Sequence, residues 1–280
     1  MSRIYHYTSI ESFALILKTR KLRFSRLDGV DDVKEAQRHA GIDFGRFFFV
    51  SCWTQQEEES IPQWSMYSRE MQGVRIEMPS YPFTDEPLRP MSGAEGVIWK
   101  GEILSPLSFE SILGNGYFVA PMFLNRDHFA GAVEYVDNVE EEYANSIRRK
   151  VDTEGHVNLK IDGLPFLPRK KSHDWAFQKE YRFSLFVLPS FPLPDGGSGI
   201  EEFSNQIGQH MSNSFINNVD PGITYVDVPL SDDALRNLVV RTGPLMTPGG
   251  LTCVEALLRS YAPEARIEES SLSGAIRAKQ

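Results

Sequence analysis

Two periods of hydrophobic and polar positions run along this chain, and the switches between them mark its elements. Ile4, Tyr5, Tyr7 and Thr8 are β-branched or aromatic and predict a first strand. Ile10, Phe13, Ala14 and Leu17 then recur at i, i+3, i+4 and i+7, one face of an α-helix. Thr8-Ser9-Ile10-Glu11 has the form of a capping box at its start. Lys18, Arg20 and Lys21 put positive charge at its end, as the helix dipole favours. Leu22-Arg23-Phe24-Ser25 reads as a short second strand and Asp28-Gly29 as a turn. Phe47 to Trp53 is an almost unbroken apolar run, the mark of a strand buried on both faces. Ser60-Ile61-Pro62-Gln63 predicts a capped short helix that carries Trp64, Met66 and Tyr67 and is ended by Gly73. Val74, Ile76 and Met78 alternate with Arg75 and Glu77, the pattern of a half-buried strand.

Beyond this the signals are more uneven. Residues 79–93 hold four prolines and read as irregular, 97–104 as a strand, and 105–136 show no clear period. Residues 139–150 predict a helix, acidic at Glu140, Glu141 and Glu142 and basic at Arg148, Arg149 and Lys150. Residues 151–167 read as loop, and 183–188 as a strand. The stretch 189–222 is rich in Pro, Gly, Ser and Asn and predicts a long mobile insertion. Strands follow at 224–228 and 238–241. Thr247-Pro248 opens a helix in which Leu251, Val254, Leu257, Leu258 and Tyr261 share a buried face. Residues 266–268 make a last strand, and the small, polar tail after Ser270 is expected to fray. Strands interleaved with helices, without an internal repeat, indicate a single α+β domain over residues 1–280.

Composition narrows the class. The 280 residues are 41% hydrophobic and 24% charged, ordinary for a soluble globular protein. A net charge of -9 argues against a broad nucleic-acid surface, which needs basic residues in excess. Cys52 and Cys253 make neither a disulfide framework nor a metal motif. The first thirty residues lack a signal-peptide pattern, and no apolar run approaches the ~20 residues of a membrane helix. A cytoplasmic, reducing location without a membrane is expected.

Three clusters carry candidate chemistry. His6 ends a strand beside a helix N-terminus, a place suited to a phosphate-bearing ligand; the plainer reading is a strand histidine bonded to a carbonyl. Trp64 and Tyr67 share a helix face and form either a stacking wall for an aromatic ring or ordinary core. Glu180 opens a strand with Arg182 on the same face, which gives either a carboxylate held toward a cleft or a surface ion pair. Lys171, in the run Arg169-Lys170-Lys171, meets an anionic ligand or lies in a solvated turn. Asp31, Asp32 and Glu35 give either a divalent-metal site, the basis of a metal-dependent nuclease, or a turn feeding a helix N-terminus; their spacing matches no known metal loop and favours the turn. The other histidines are scattered, and no glycine-rich phosphate loop, G-x-S-x-G or H-E-x-x-H is present.

In order and spacing these pieces resemble a bacterial and phage family, domain of unknown function 2971. The matching motifs are Tyr5-His6-Tyr7-Thr8, Leu22-Arg23-Phe24-Ser25, Asp31-Asp32-Val33-Lys34-Glu35 and Ser51-Cys52-Trp53. They continue with Trp64-Ser65-Met66-Tyr67, Gly73-Val74, and the series Lys171, Trp175, Gln178, Glu180, Arg182, in which Gln178 stands where a glutamate is usual. The Thr242-Gly243-Pro244 turn and the closing helix are also similar. The layout resembles the ADP-ribosyltransferase fold, a split β-sheet core with flanking helices. That resemblance implies NAD as substrate, a bound nucleotide as partner, an acceptor it does not name, and a toxin or phage-defence setting. It gives His6 and Thr8 to the nicotinamide ribose and amide, Tyr67 or Trp64 to stacking, and Glu180 to the ribose hydroxyl and the developing oxocarbenium ion. Tyr7, Ser25, Lys171 and Arg182 complete the implied ligand set. Tyr7 replaces the small residue usual between the histidine and threonine, and no Ser-Thr-Ser element follows. The alternative is therefore a non-catalytic nucleotide- or protein-binding module in which Tyr7 fills the NAD site.

Overall fold

The computed structural model describes residues 2–36, 38–89, 101–151, 153, 157–191 and 200–277. β1 (Arg3–Thr8) leads into α1 (Ile10–Thr19) and back along β2 (Lys21–Arg26). The helix cap is Ser9, whose hydroxyl accepts from the Ser12 N–H; Thr8 stays in the strand and does not cap. Phe13 and Leu17 are the buried positions of α1. β3 (Phe48–Thr54) is covered along its length except at half-buried Cys52.

α2 (Ile61–Tyr67) is capped by Ser60 as expected and precedes β4 (Val74–Pro79). Gly73 does not end this helix, which stops at Tyr67. Its role is close approach: a Cβ there would lie 2.2 Å from the Thr8 carbonyl oxygen of β1. Nor is β4 half-buried. Arg75 is covered, its guanidinium 4.6 Å from the Tyr5 ring, because β4 lies inside the sheet.

β5 (Glu86–Pro87) pairs with β6 (Leu104–Ser105); of the strand expected at 97–104, residues 97–100 lie outside the described residues and only Leu104 of the rest is in a strand. α3 (Phe109–Ile112), β7 (Tyr117–Ala120), α4 (Arg126–Phe129), β8 (Ala130–Ala132) and β9 (Glu134–Val136) occupy the stretch without clear period. The helix expected at 139–150 is shorter: α5 spans Val139–Ser146. From there β10 (Ile147–Val151) pairs with β11 (Val157–Ile161), so Arg148, Arg149 and Lys150 lie on a ladder rather than in a last helical turn. The expected loop at 151–167 thus contains β11 and the start of a 3-10 turn, Leu164–Arg169.

β12 (Lys170–Ser172) and a 3-10 turn (His173–Gln178) lead to β13 (Glu180–Pro189). The insertion expected at 189–222 instead carries the 17-residue α6 (Ile200–Ile216). Its Phe215 is buried against Phe44, Phe47 and Phe186. β14 (Tyr225–Pro229), α7 (Asp232–Arg236), β15 (Val239–Thr242), α8 (Pro248–Tyr261) and β16 (Arg266–Glu268) complete the order. α8 packs on α1 and buries Val254 and Leu258, while Leu251 and Tyr261 remain exposed. The tail is not frayed at its start: Ser270 is buried, and both Ser270 and Ser271 bond to Glu59.

Among the described residues ten strands form one sheet, in the order β14-β2-β3-β1-β4-β15-β16, with β13 also paired to β3 and β7 and β8 paired to β13. β13 covers β3 antiparallel from Glu180↔Thr54 to Phe186↔Phe48. The opposite edge of β3 is shared: β2 pairs near its start (Ser25↔Val50) and β1 at its end (Tyr5↔Thr54). β1 and β2 therefore diverge from a common neighbour, and the sheet is split between them with α1 as the connection. The class is α+β. Among the described residues no helix is long and apolar enough to cross a membrane.

Candidate functional site

A cleft of about 500 Å³ opens at the split, within the usual size of a ligand pocket. β3 contributes Val50–Trp53, α1 and β2 one wall, and β1, Tyr67 and the Lys171 to Glu180 segment the other. His6, Thr8, Ser25, Tyr67, Lys171 and Glu180 all line it. Tyr7 lines it as well, but strand alternation sets its ring on the face opposite His6. That ring stands edge-on to Trp64 at 4.8 Å, and its hydroxyl accepts from the Ser60 N–H at 3.0 Å.

Two expected ligand residues are elsewhere. Trp64 is fully buried, donates Nε1–H to Glu59 at 2.9 Å and does not line the cleft; it is core, not a stacking wall. Arg182, 0% exposed, sits behind Glu180 instead of in the cleft. The Glu180–Arg182 pair is thus neither superficial nor available to a ligand.

Lys179, held left-handed at φ 42°, turns the chain out of the 3-10 helix and into β13, which fixes the direction of Glu180. The Glu180 carboxylate is 5% exposed and clamped on two sides. Arg182 Nε donates to Oε1 at 2.8 Å, and Lys171 Nζ to Oε2 at 3.1 Å. Burial alone would raise its pKa, but the Arg182 and Lys171 charges and a hydrogen bond from the Cys52 thiol outweigh it and hold Glu180 below its ordinary value. Glu180 is therefore an anion at neutral pH.

The acidic knot supplies the counter-charges. Glu35 is buried, bonded to Arg182 at 2.5 Å and ion-paired with Lys171 at 3.2 Å. Asp31 reaches Lys171 at 3.7 Å, and Asp32 accepts from the Lys34 N–H to shape the turn. Arg182 also donates to the Pro168 carbonyl. Among the described residues, no group of three or more His, Cys, Asp or Glu is placed to hold a metal ion. Lys171 rests 4.9 Å from the Trp175 ring, and its charge is already shared among carboxylates rather than reserved for an anionic ligand.

His6 is half-buried and bonds through Nδ1 to the Cys52 carbonyl at 2.8 Å. A carbonyl only accepts, so Nδ1 carries the proton and Nε2 is left as an acceptor in the neutral ring. Burial lowers the His6 pKa, with the carbonyl bond opposing, so the ring is neutral at pH 7. Burial and the Glu180 charge push the Cys52 thiol well up, and it stays S–H.

A chain of side-chain hydrogen bonds sets the far wall. Tyr67 donates its one hydroxyl proton to Asp31. Gln178 must then present its amide nitrogen to the Tyr67 oxygen, at 2.5 Å, and Gln178 Oε1 is left buried and unpaired. Gln63 donates to the Gln178 carbonyl at 3.1 Å, tying α2 to the residue pair before Glu180. Cys52, Gln178 and Glu35 are not among the ligand residues expected from sequence. Each does stand in a motif of the family resemblance, Ser51-Cys52-Trp53, the Lys171 to Arg182 series and Asp31 to Glu35, but the contacts that bring Glu35 and Cys52 to Glu180 come from parts of the chain distant in sequence.

A second cavity, also about 500 Å³, lies beside the first residue of β13 and is bounded by Gln55–Glu58, Ala132, Val133, Tyr135 and Lys179. The Tyr135 hydroxyl there accepts from the Glu180 N–H at 2.8 Å. Comparison with family models, with curated proteins and with solved structures finds no match to this chain.

Proposed function

We propose that the cleft binds NAD and that the protein transfers ADP-ribose from it, with Glu180 as the catalytic carboxylate. The observation that carries this reading is an ionised, immobilised Glu180 lining a cleft where the sheet splits. The C1′–N bond of NAD breaks with its electron pair leaving on nicotinamide, and positive charge builds on the ribose. A fixed carboxylate stabilises that charge more than it stabilises the ground state. An acceptor nucleophile then bonds to C1′ and releases its proton. The acceptor is not assigned.

The other residues take roles consistent with their geometry. His6 Nε2 accepts a hydrogen bond from a ribose hydroxyl. Tyr67 walls the nicotinamide ring, and the unpaired Gln178 Oε1 is an acceptor of the kind a carboxamide N–H satisfies. Lys171 and Arg182 act by holding Glu180 charged and in place. The resemblance to domain of unknown function 2971 and to the ADP-ribosyltransferase layout, with its toxin or phage-defence setting, belongs to the same reading. The non-catalytic alternative draws no support from Tyr7, whose ring packs on Trp64.

Nicotinamide release from NAD by the purified protein, beside Glu180→Gln, is the test. The parent is expected to release nicotinamide, and the variant to do so about 10²–10³-fold more slowly, the usual cost of one electrostatic stabiliser. Equal release by both proteins would overturn the assignment.

A further inference from the structure

Glu59 is a second buried carboxylate, its side chain 2% exposed, and it lines neither cavity. It is nearly saturated as an acceptor. Oε2 takes the Trp64 indole at 2.9 Å and the Ser270 hydroxyl at 2.5 Å. Oε1 takes the Ser271 N–H at 2.7 Å, the Ser271 hydroxyl at 2.8 Å and Arg241 at 3.3 Å. One side chain thus fastens the segment after β16 to the first turn of α2.

The same helix reaches the cleft. Its N-cap N–H is held by the Tyr7 hydroxyl, Gln63 bonds the Gln178 carbonyl, and Tyr67 bonds Gln178 and Asp31. α2 spans only two turns, so a shift at Trp64 moves Tyr67, three residues on, along with it. We propose that Ser270 and Ser271 form a strap that sets the width of the cleft, with Glu59 as the positioning residue through which it acts. Loss of the strap frees α2 to swing and loosens the Tyr67 wall without touching Glu180.

The test needs no nucleotide, so it stands apart from the NAD reading. Cys52 lines the cleft, and Cys253 is exposed on α8 and serves as an internal control. N-ethylmaleimide labelling of both thiols is followed by mass spectrometry in the parent, in a Ser270→Ala/Ser271→Ala double variant and in Glu59→Gln. Hydrogen exchange is followed in parallel over Ile61–Tyr67 and Val139–Ser146. In both variants Cys52 is expected to label roughly tenfold faster, on the scale of one lost hydrogen bond. Cys253 should be unchanged, with faster exchange confined to Ile61–Tyr67. Ser270→Thr, which keeps the hydroxyl, is expected to retain the slow labelling of the parent. Unchanged Cys52 labelling in the double variant would overturn the proposal. Equal acceleration of exchange at Val139–Ser146 would do so too, because it would mark general loosening.

Discussion

Glu180 and Glu59 are both buried carboxylates held below their ordinary pKa, yet they are built differently. Glu180 is balanced by two full cations and faces a cleft. Glu59 is satisfied mainly by neutral donors, with one guanidinium at its rim, and faces none. Neutral hydrogen bonds suffice to bury a carboxylate whose task is to join elements. Surrounding a carboxylate with Lys171, Arg182 and their own counter-ions incurs a large desolvation penalty that the pair attractions must offset. Such an arrangement makes sense where a charge must persist beside a space another molecule can enter.

The sharpest way to break this contrast is Arg182→Leu. It leaves Glu180 and Glu35 buried with only Lys171 of the two cations they share, and is expected to cost about 3–5 kcal/mol of folding stability in a denaturant melt. Glu59→Leu removes the acceptor of five donors and should cost about 1–3 kcal/mol, less because several donors lie near solvent. Trp64→Phe keeps the ring against Tyr7 and loses only the indole bond, for about 1 kcal/mol.

Acid sharpens the comparison with a smaller, graded effect. His6 and His39 are both lowered from 6.5, chiefly by burial, so between 6.5 and their folded values the unfolded chain binds protons that the folded chain does not. Their contribution is complete above pH 6.5 and declines below it. Glu180 and Glu59 are lowered from 4.5, where the attraction of cations and hydrogen-bond donors exceeds the opposing effect of burial. Their contribution is present above pH 4.5 and is lost as pH falls through the folded values. Thermal melts from pH 8 to 3 should therefore show two successive losses. Glu59→Gln should diminish the second and leave the first unchanged.

Local grammar explains what the sequence made legible. The β1–α1–β2 opening, the buried β3, the Ser60 and Thr247 caps and the shared face of Glu180 and Arg182 each depend on neighbours a few residues away. Glu35 meets Arg182 across 147 positions, and Glu59 meets Ser271 across 212, so their roles emerge only when the sheet is assembled. α6 was hidden by a polar composition that reads as loop, although Phe215 anchors it. Arg75 broke the alternation of β4 because two tyrosine rings supply a face for its charge.

The closed charge group around Glu180 also bears on inheritance. Each member balances the others, so replacing any one strands a partner, whereas the phenylalanine core tolerates exchange among residues of similar volume. Across relatives, Glu35, Lys171, Glu180 and Arg182 should be kept or abandoned as one block, at a pace set by rare paired substitutions. The aromatic positions around them should drift singly.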